Sequence, residues 1–452
     1  AESLVPDGFL YRGPAGFLLF DALDSAALAA RARTHPDGRA GARRELEANP
    51  ARVALVHRLV SAAAGVLNVL LLMLLVKREF GRRAALCSGL VLAVAYLHVR
   101  DSHFGTVETL WGSTLVLGID ACFRLVATPE RRSYVRAGLL VGLAVAFKYF
   151  NAVLGLHLCV AHALARVRAR AEGRAPPPFS RLVLALALVP LAFVLLFPGL
   201  FLGAWDNLVR RVGVGAESMG PEVDGFSQLL LLRFHVQKTL AVGLGEPALL
   251  AALLGLVLAW RKGWQGRFLV LCVLATLPTI FLTGSAQVRY GMAVLVVCAL
   301  PAGIALDEGL RRFGPVLGGL VLLLALAPSM ARSLALQRIW QNTDTRLLAL
   351  QELRQRCAPG ERVLLVGLHR EGPEPLRRQP FKLVNHLHTG VQGKLQLEDI
   401  LGAPPPWILW GQDRPYHPIP DEDALRALVR ERYREVRRFA DRGGVELDFS
   451  LL

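Results

Sequence analysis

About ten apolar runs succeed one another between residues 57 and 331, and no other feature limits so strongly what this chain can fold into. They are, roughly, His57–Val76, Ala84–Val99, Thr106–Val126, Val135–Ala146, Asn151–Ala165, Leu182–Ala204, Thr239–Trp260, Phe268–Thr283, Tyr290–Leu306 and Pro315–Ala331. A bilayer core takes roughly 20 apolar residues as a helix. In hydrocarbon only a helix or a closed barrel satisfies its own backbone, so runs of this length imply helices. Several runs are short by that standard, and Val135–Ala165 can be read as one bent hairpin. Composition agrees: 53% of the residues are hydrophobic and only 19% are charged, too apolar a mix for an ordinary soluble protein of 452 residues. The chain reads as an α-helical polytopic membrane protein.

The net charge of +16 suggests nucleic-acid binding at first sight, but no basic domain with interleaved aromatics is present, and a nucleic-acid partner is set aside. The basic residues instead crowd alternate loops, with Lys77, Arg78, Arg82 and Arg83 in one and Arg124, Arg131, Arg132 and Arg136 in the next of the set. Such loops stay cytoplasmic. The opposite set, with Arg100, Lys148 and Arg289, is poorer in charge and is expected on the periplasmic side of the inner membrane. Arg31–Arg52, also basic, falls on that outer side and runs against the rule. Five cysteines sit in apolar runs and Cys357 stands alone, so neither a disulfide framework nor a CxxC metal site is present.

Three regions follow. Residues 1–56 form an outer-face segment whose stretch Gly13–Ala32 carries Asp21 and Asp24 and reads as an interfacial or re-entrant helix rather than a span. Residues 57–336 hold the spans. Residues 337–452 turn polar and alternate: a helix over Thr345–Arg356, a break at Pro359-Gly360, strands at Arg362–Leu368, Phe381–His386, Trp407–Trp410 and Val445–Phe449, and a helix over Asp421–Arg432. That alternation predicts a small α/β domain outside the membrane, on the periplasmic face. No internal repeat is visible.

The chemistry concentrates in Tyr96–Trp111, where His98, Arg100, Asp101, His103 and Glu108 lie between two apolar segments. A charge at the centre of a membrane helix costs roughly 2.5–3.5 kcal/mol on insertion scales, so such a cluster is a functional-site hypothesis. Arg58, Lys148, Tyr149, Arg289 and Tyr290 lie at the expected outer ends of other runs and can converge on the same layer. A carboxylate there can take a proton from an acceptor hydroxyl. Arg and Lys can hold a phosphate and stabilise the charge that grows on its departing oxygen. Glu108, Asp101 and His103 are thus candidate catalytic groups, and Arg100, Lys148, Tyr149, Arg289 and Arg58 candidate phosphate-binding groups. The residues single out no certain cofactor; His103 could instead join Asp101 or Glu108 around a divalent metal, although their spacings match no strong ligand motif. Blander readings stand beside these. Arg100 and Lys148 can simply snorkel to head groups, His98, His157 and His162 can be core histidines, Asp120 and Asp307 can pair helices, and Tyr149, Trp111 and Trp260 can belong to an aromatic belt.

Several stretches in order resemble glycosyltransferase family 39: Arg58-Leu-Val-Ser-Ala-Ala-Ala-Gly65 with Phe80-Gly-Arg-Arg83, His98-Val-Arg-Asp-Ser-His-Phe-Gly-Thr-Val-Glu108, Ala137–Tyr149, Arg289-Tyr290, and Asp344-Thr-Arg346 followed by Pro359-Gly360. The family includes dolichyl-phosphate-mannose protein mannosyltransferases and the bacterial aminoarabinose transferase of lipid A. The resemblance implies a GT-C fold, a polyprenyl-phosphate sugar donor, and inverting transfer to a lipid, glycan or protein acceptor at the outer membrane face. It also implies that Glu108 stands where many relatives have an Asp, that Lys148-Tyr149 matches their Lys-Tyr pair, and that Arg289 matches their Arg before a span. The family's principal acidic pair follows a first span, and Val5–Tyr11 resembles the stretch after it, so that pair is expected before Ala1. Two other readings remain: a transporter or flippase of a lipid-linked saccharide, and a non-catalytic assembly subunit.

Overall fold

The computed structural model describes residues 14–48, 50–196, 225–281, 288–341, 345–366, 382–385, 400, 404–410 and 422–433. The chain divides into two compact units, Ala1–Ser333 and Leu334–Leu452. The helices up to Gln341 are α1 (Pro14–Ala32), α2 (Gly38–Ala48), α3 (Pro50–Phe80), α4 (Arg82–Val94), α5 (Tyr96–His103), α6 (Glu108–Ala127), α7 (Arg131–Phe147), α8 (Leu154–Ala171), α9 (Phe179–Leu196), α10 (Gly225–Phe234), α11 (Glu246–Trp260), α12 (Gly263–Thr276) and α13 (Met292–Gln341).

Among the described residues six helical stretches are long and apolar enough to cross a membrane, or up to eight if each of two bent pairs is one span. The expected ten are not reached there, and bending is one reason. The runs Ala84–Val99 and Thr239–Trp260 do not form straight spans: α4 and α5 meet at 59°, and Leu229–Leu244 meets α11 at 103°. Each break frees backbone groups that must find partners inside the protein. At the first, the Tyr96 N–H donates to Ser329 Oγ at 2.8 Å and the Val94 carbonyl accepts from Ser333 Oγ at 3.1 Å. At the second, where Gly245 has φ 88°, Arg332 donates to the carbonyls of Ala241 and Val242 at 3.2 Å and pairs with Glu246 at 2.6 Å. The two breaks are secured by one stretch of α13.

The second reason is that Val288–Gln341 counts as a single stretch of 54 residues. Straight, it would run to about 80 Å at 1.5 Å per residue, far beyond a bilayer. Gly314 interrupts it at φ 74° and ψ 177°, a conformation essentially reserved for glycine, and Pro315 follows. Contacts show the chain folding back there. Asp307 lies 3.4 Å from Arg83 at the start of α4, the Leu300 carbonyl accepts from Ser88 Oγ at 3.3 Å midway, and Ser333 returns to Val94 at its end.

The end of the bundle near Arg83 is one of ion pairs. Asp120 accepts from Arg78 of α3 at 2.5 Å besides Arg124 of its own helix at 2.7 Å, and Asp307 faces Arg83 of α4 besides Arg311 of its own helix at 2.7 Å, so these acids join helices. His157 and His162 are core histidines, bonded to Thr276 at 3.1 Å and to the Tyr134 hydroxyl at 2.6 Å. At the opposite end, hydroxyls stitch α3 to the α5–α6 turn: Ser61 Oγ donates to the Thr106 carbonyl at 2.9 Å, and Thr109 and Ser113 donate to the carbonyls of Ser61 and Ala64 at 3.0 and 3.1 Å. This fixes where α6 begins, and hence where Glu108 stands.

In the second unit β1 (Arg362–Val366) lies between β2 (Lys382–Asn385) and β3 (Trp407–Trp410), and both neighbours are parallel to it. A central parallel strand is covered on both faces, which explains the unbroken apolar run Val363–Val366. Leu364 and Val366 pack with Ile400, Leu425 and Leu428, the last two from the helix Glu422–Arg432, while Thr345–Arg356 forms a second helix. The expected strand Val445–Phe449 lies outside the described residues.

Candidate active site

Asp101 and Arg100 come from α5, Glu108 from the first residue of α6, Lys148 from the end of α7, and Arg289 from the 3-10 turn Val288–Gly291. Positions 40 and 181 residues away from Glu108 along the chain thus meet at one end of the bundle. Lys148 Nζ donates to Glu108 Oε1 at 2.8 Å, and both side chains are nearly closed off, at 4% and 9% exposure. Arg100 holds Asp101 Oδ1 through Nε at 2.8 Å and Nη2 at 2.7 Å, again buried. Neither Arg100 nor Lys148 snorkels outward. The charges act on one another across these elements: Asp101 feels Glu108 and Lys148 besides Arg100, and Glu108 feels Arg289 besides Lys148.

Aromatic rings fix the cations. Lys148 Nζ sits 4.7 Å from the Trp111 ring and 5.5 Å from that of Tyr290, and Arg289 lies 5.4 Å from the same Tyr290 ring. An ammonium over a ring face is attracted by its quadrupole. Trp111 is itself anchored, its indole N–H bonded to Asn151 Oδ1, while Asn151 Nδ2 donates to the Ala144 carbonyl at 2.8 Å. Trp111 is fully buried and therefore no member of an interfacial belt. The sequence reading passed over Asn151; its only signal was an amide at the head of an apolar run.

The remaining expectations are distributed differently. His103 is exposed, with Nδ1 bonded to the Val99 carbonyl at 2.8 Å. In a helix a residue two positions on points to the opposite side, and α5 accordingly turns Asp101 inward and His103 outward. Arg58 is exposed on α3. Tyr149 opens the 3-10 turn after Lys148, and its side chain lies outside the described set, as does that of Asp21. Asp24 pairs with His57 at 2.7 Å and so ties α1 to α3, a pairing that no local pattern announces. Among the described residues no group of three His, Cys, Asp or Glu could hold a metal ion, and the metal set with His103 has no geometry to support it, because Glu108 and Asp101 Oδ1 are turned to cations.

Among the described residues several buried polar atoms near the cluster have no hydrogen-bond partner, among them Asp101 Oδ2, Arg289 Nε and His98 Nε2. His98 is thus not the satisfied core histidine expected. Buried polar atoms are nearly always bonded, so an unpaired group of them marks where a ligand or water completes the set.

Comparison with curated proteins gives no match. The apo structure of ArnT from Cupriavidus metallidurans is 16% identical over 93% of this chain and 80% of that one, with a TM-score of 0.48. The same protein bound to undecaprenyl phosphate is 16% identical over 74% of this chain and 72% of its own, at 0.45. The Archaeoglobus fulgidus oligosaccharyltransferase, in complex with Zn and sulfate, is 18% identical over 78% of this chain at 0.42. This chain spans about half, 51%, of that enzyme's length. The dolichyl-phosphate-mannose-protein mannosyltransferase family matches residues 52–196, the segment that supplies every charged member of the cluster except Arg289. Over that segment the family resemblance read in Arg58–Gly65, His98–Glu108 and Ala137–Tyr149 is borne out.

Proposed function

We propose that the chain is an integral membrane glycosyltransferase that moves a sugar from a polyprenyl-phosphate donor to a lipid, glycan or protein acceptor at the outer face of the cytoplasmic membrane, with residues 337–452 as an extramembrane α/β domain on that side. One observation carries the reading: the buried cations Arg100 and Lys148 and the half-buried Arg289 gather around two buried carboxylates, and among the described residues Arg289 Nε and Asp101 Oδ2 have no hydrogen-bond partner. The excess cation suits a phosphate, and the open carboxylate oxygen suits a hydroxyl. The family match over residues 52–196 supports the same class.

In the transfer the acceptor oxygen bonds to the anomeric carbon, and the bond from that carbon to the phosphate oxygen breaks. The electron pair stays on the phosphate, whose growing charge Lys148, Arg289 and Arg100 stabilise. The acceptor proton leaves to a carboxylate, for which Asp101 Oδ2 is the open position. Glu108, held by Lys148, fixes the ammonium instead of acting as a base. A single displacement of this kind inverts the anomeric centre.

A second reading, movement of a lipid-linked saccharide without chemistry, is favoured by the two broken helix pairs, since transporter sites use such breaks. One experiment separates them. The natural gene product is reconstituted in vesicles with radiolabelled polyprenyl-phosphate sugars, and loss of label from the donor is followed. Consumption by the wild type, with Asp101→Asn slowed about a hundredfold and Lys148→Ala inactive though folded, upholds the transferase. Label that crosses the vesicle still attached to its lipid would replace it with the transporter.

A further inference from the structure

At the end of the bundle away from the cluster, α6 and α7 border an open, shallow groove of about 820 Å³ lined by Leu117, Arg131, Arg132, Val135, Arg136, Leu139 and Leu140. Its volume falls in the range of small-molecule sites. Arg132, Val135, Arg136, Leu139 and Leu140 follow the helical spacing that puts them on one face of α7. The arginines crowd the first turns of that helix and the leucines lie deeper. All three arginines are exposed. Arg132 is engaged by Glu130 at 2.6 Å, but among the described residues Arg131 and Arg136 have no carboxylate within ion-pair distance. Lys148, at the other end of α7, lies about 25 Å away at 1.5 Å per residue, close to the thickness of a bilayer's hydrocarbon.

We propose that this groove holds an anionic phospholipid of the leaflet opposite the cluster, its phosphate between Arg131 and Arg136 and an acyl chain along Leu139, Leu140 and Leu117. Charge complementarity selects the occupant: two unengaged guanidinium groups above an apolar wall, on a helix that sits among membrane spans, match a head group carrying one net negative charge on two hydrocarbon chains. Basic pockets between membrane helices bind such head groups. A zwitterionic lipid brings its own ammonium against the arginines and is disfavoured. The site is separate from the donor site proposed above, and it does not depend on that proposal.

The test is native mass spectrometry of the detergent-solubilised chain with added dioleoyl-phosphatidylglycerol or dioleoyl-phosphatidylcholine. The wild type retains the anionic lipid preferentially. Arg131→Ser with Arg136→Ser weakens its binding about thirtyfold, as expected for two basic residues near the head group. The paired lysine substitutions at the same positions keep most of it. Arg261→Ser with Lys262→Ser removes the same charge from another exposed loop and leaves binding unchanged. Equal loss in that control would overturn the site in favour of a diffuse basic surface. Displacement of the lipid by glycerol phosphate at similar concentration would overturn it in favour of a free phosphate site, and a mass doubling that excludes lipid would assign the groove to a second copy of the chain.

Discussion

Removal of Lys148 strikes the most demanding contact in the cluster. In Lys148→Met the Glu108 carboxylate keeps its burial and loses its 2.8 Å partner, and the charge of Arg289 remains beside it. Breaking a buried pair from one side costs about 3–5 kcal/mol, because an uncompensated charge is left behind. Glu108→Gln is milder, since the ammonium retains the Trp111 and Tyr290 rings at 4.7 and 5.5 Å, and each desolvated cation–π contact returns up to about 2 kcal/mol. Removing both charges together should cost less than Lys148→Met alone, giving a coupling energy of about 2–3 kcal/mol in a double-mutant cycle. Unfolding in mixed dodecyl maltoside and sodium dodecyl sulfate micelles, followed by tryptophan fluorescence, measures all four corners of the cycle. Additive effects, or a loss under about 1 kcal/mol for Lys148→Met, would show that water screens the pair, and the buried cluster would have to be abandoned.

Two further outcomes are expected. Gly314→Ala forces a side chain into φ 74°, ψ 177° at the turn between the halves of α13, and should lower stability by about 1–3 kcal/mol in the same assay, while Gly309→Ala, with open space around its added carbon, should not. Burial, aided by the charge of Glu361, pushes the Cys357 thiol up to about 11, so at pH 8 only about one molecule in a thousand is thiolate. Labelling of Cys357 by N-ethylmaleimide, read by peptide mass, should be slow at pH 8 and rise about tenfold per pH unit up to that value.

Some of this was legible in the chain. The membrane helices follow from run length and composition, and β1 and β3 from short apolar runs bounded by Pro359-Gly360 and by prolines 404–406. The cluster of Arg100, Asp101, Glu108, Lys148 and Arg289 was legible too, because a charge beside hydrocarbon is costly wherever it lies in the sequence. What the chain could not announce was partnership. In the sequence the stretch from Tyr96 to Trp111 is one cluster; once its first part folds as a short helix and a turn, helical rotation sends Asp101 and His103 to opposite sides, and the metal set dissolves. The bends at Ala95 and Gly245 were hidden in apolar runs, since their broken backbone is satisfied by Ser329, Arg332 and Ser333 from more than eighty residues away. Local sequence sets which segments prefer lipid and where charge is out of place, because transfer free energies are properties of residues. Which charge neutralises which, and which polar atoms remain open to a ligand, only the tertiary structure decides, because ion pairing depends on distances between helices that no single segment contains.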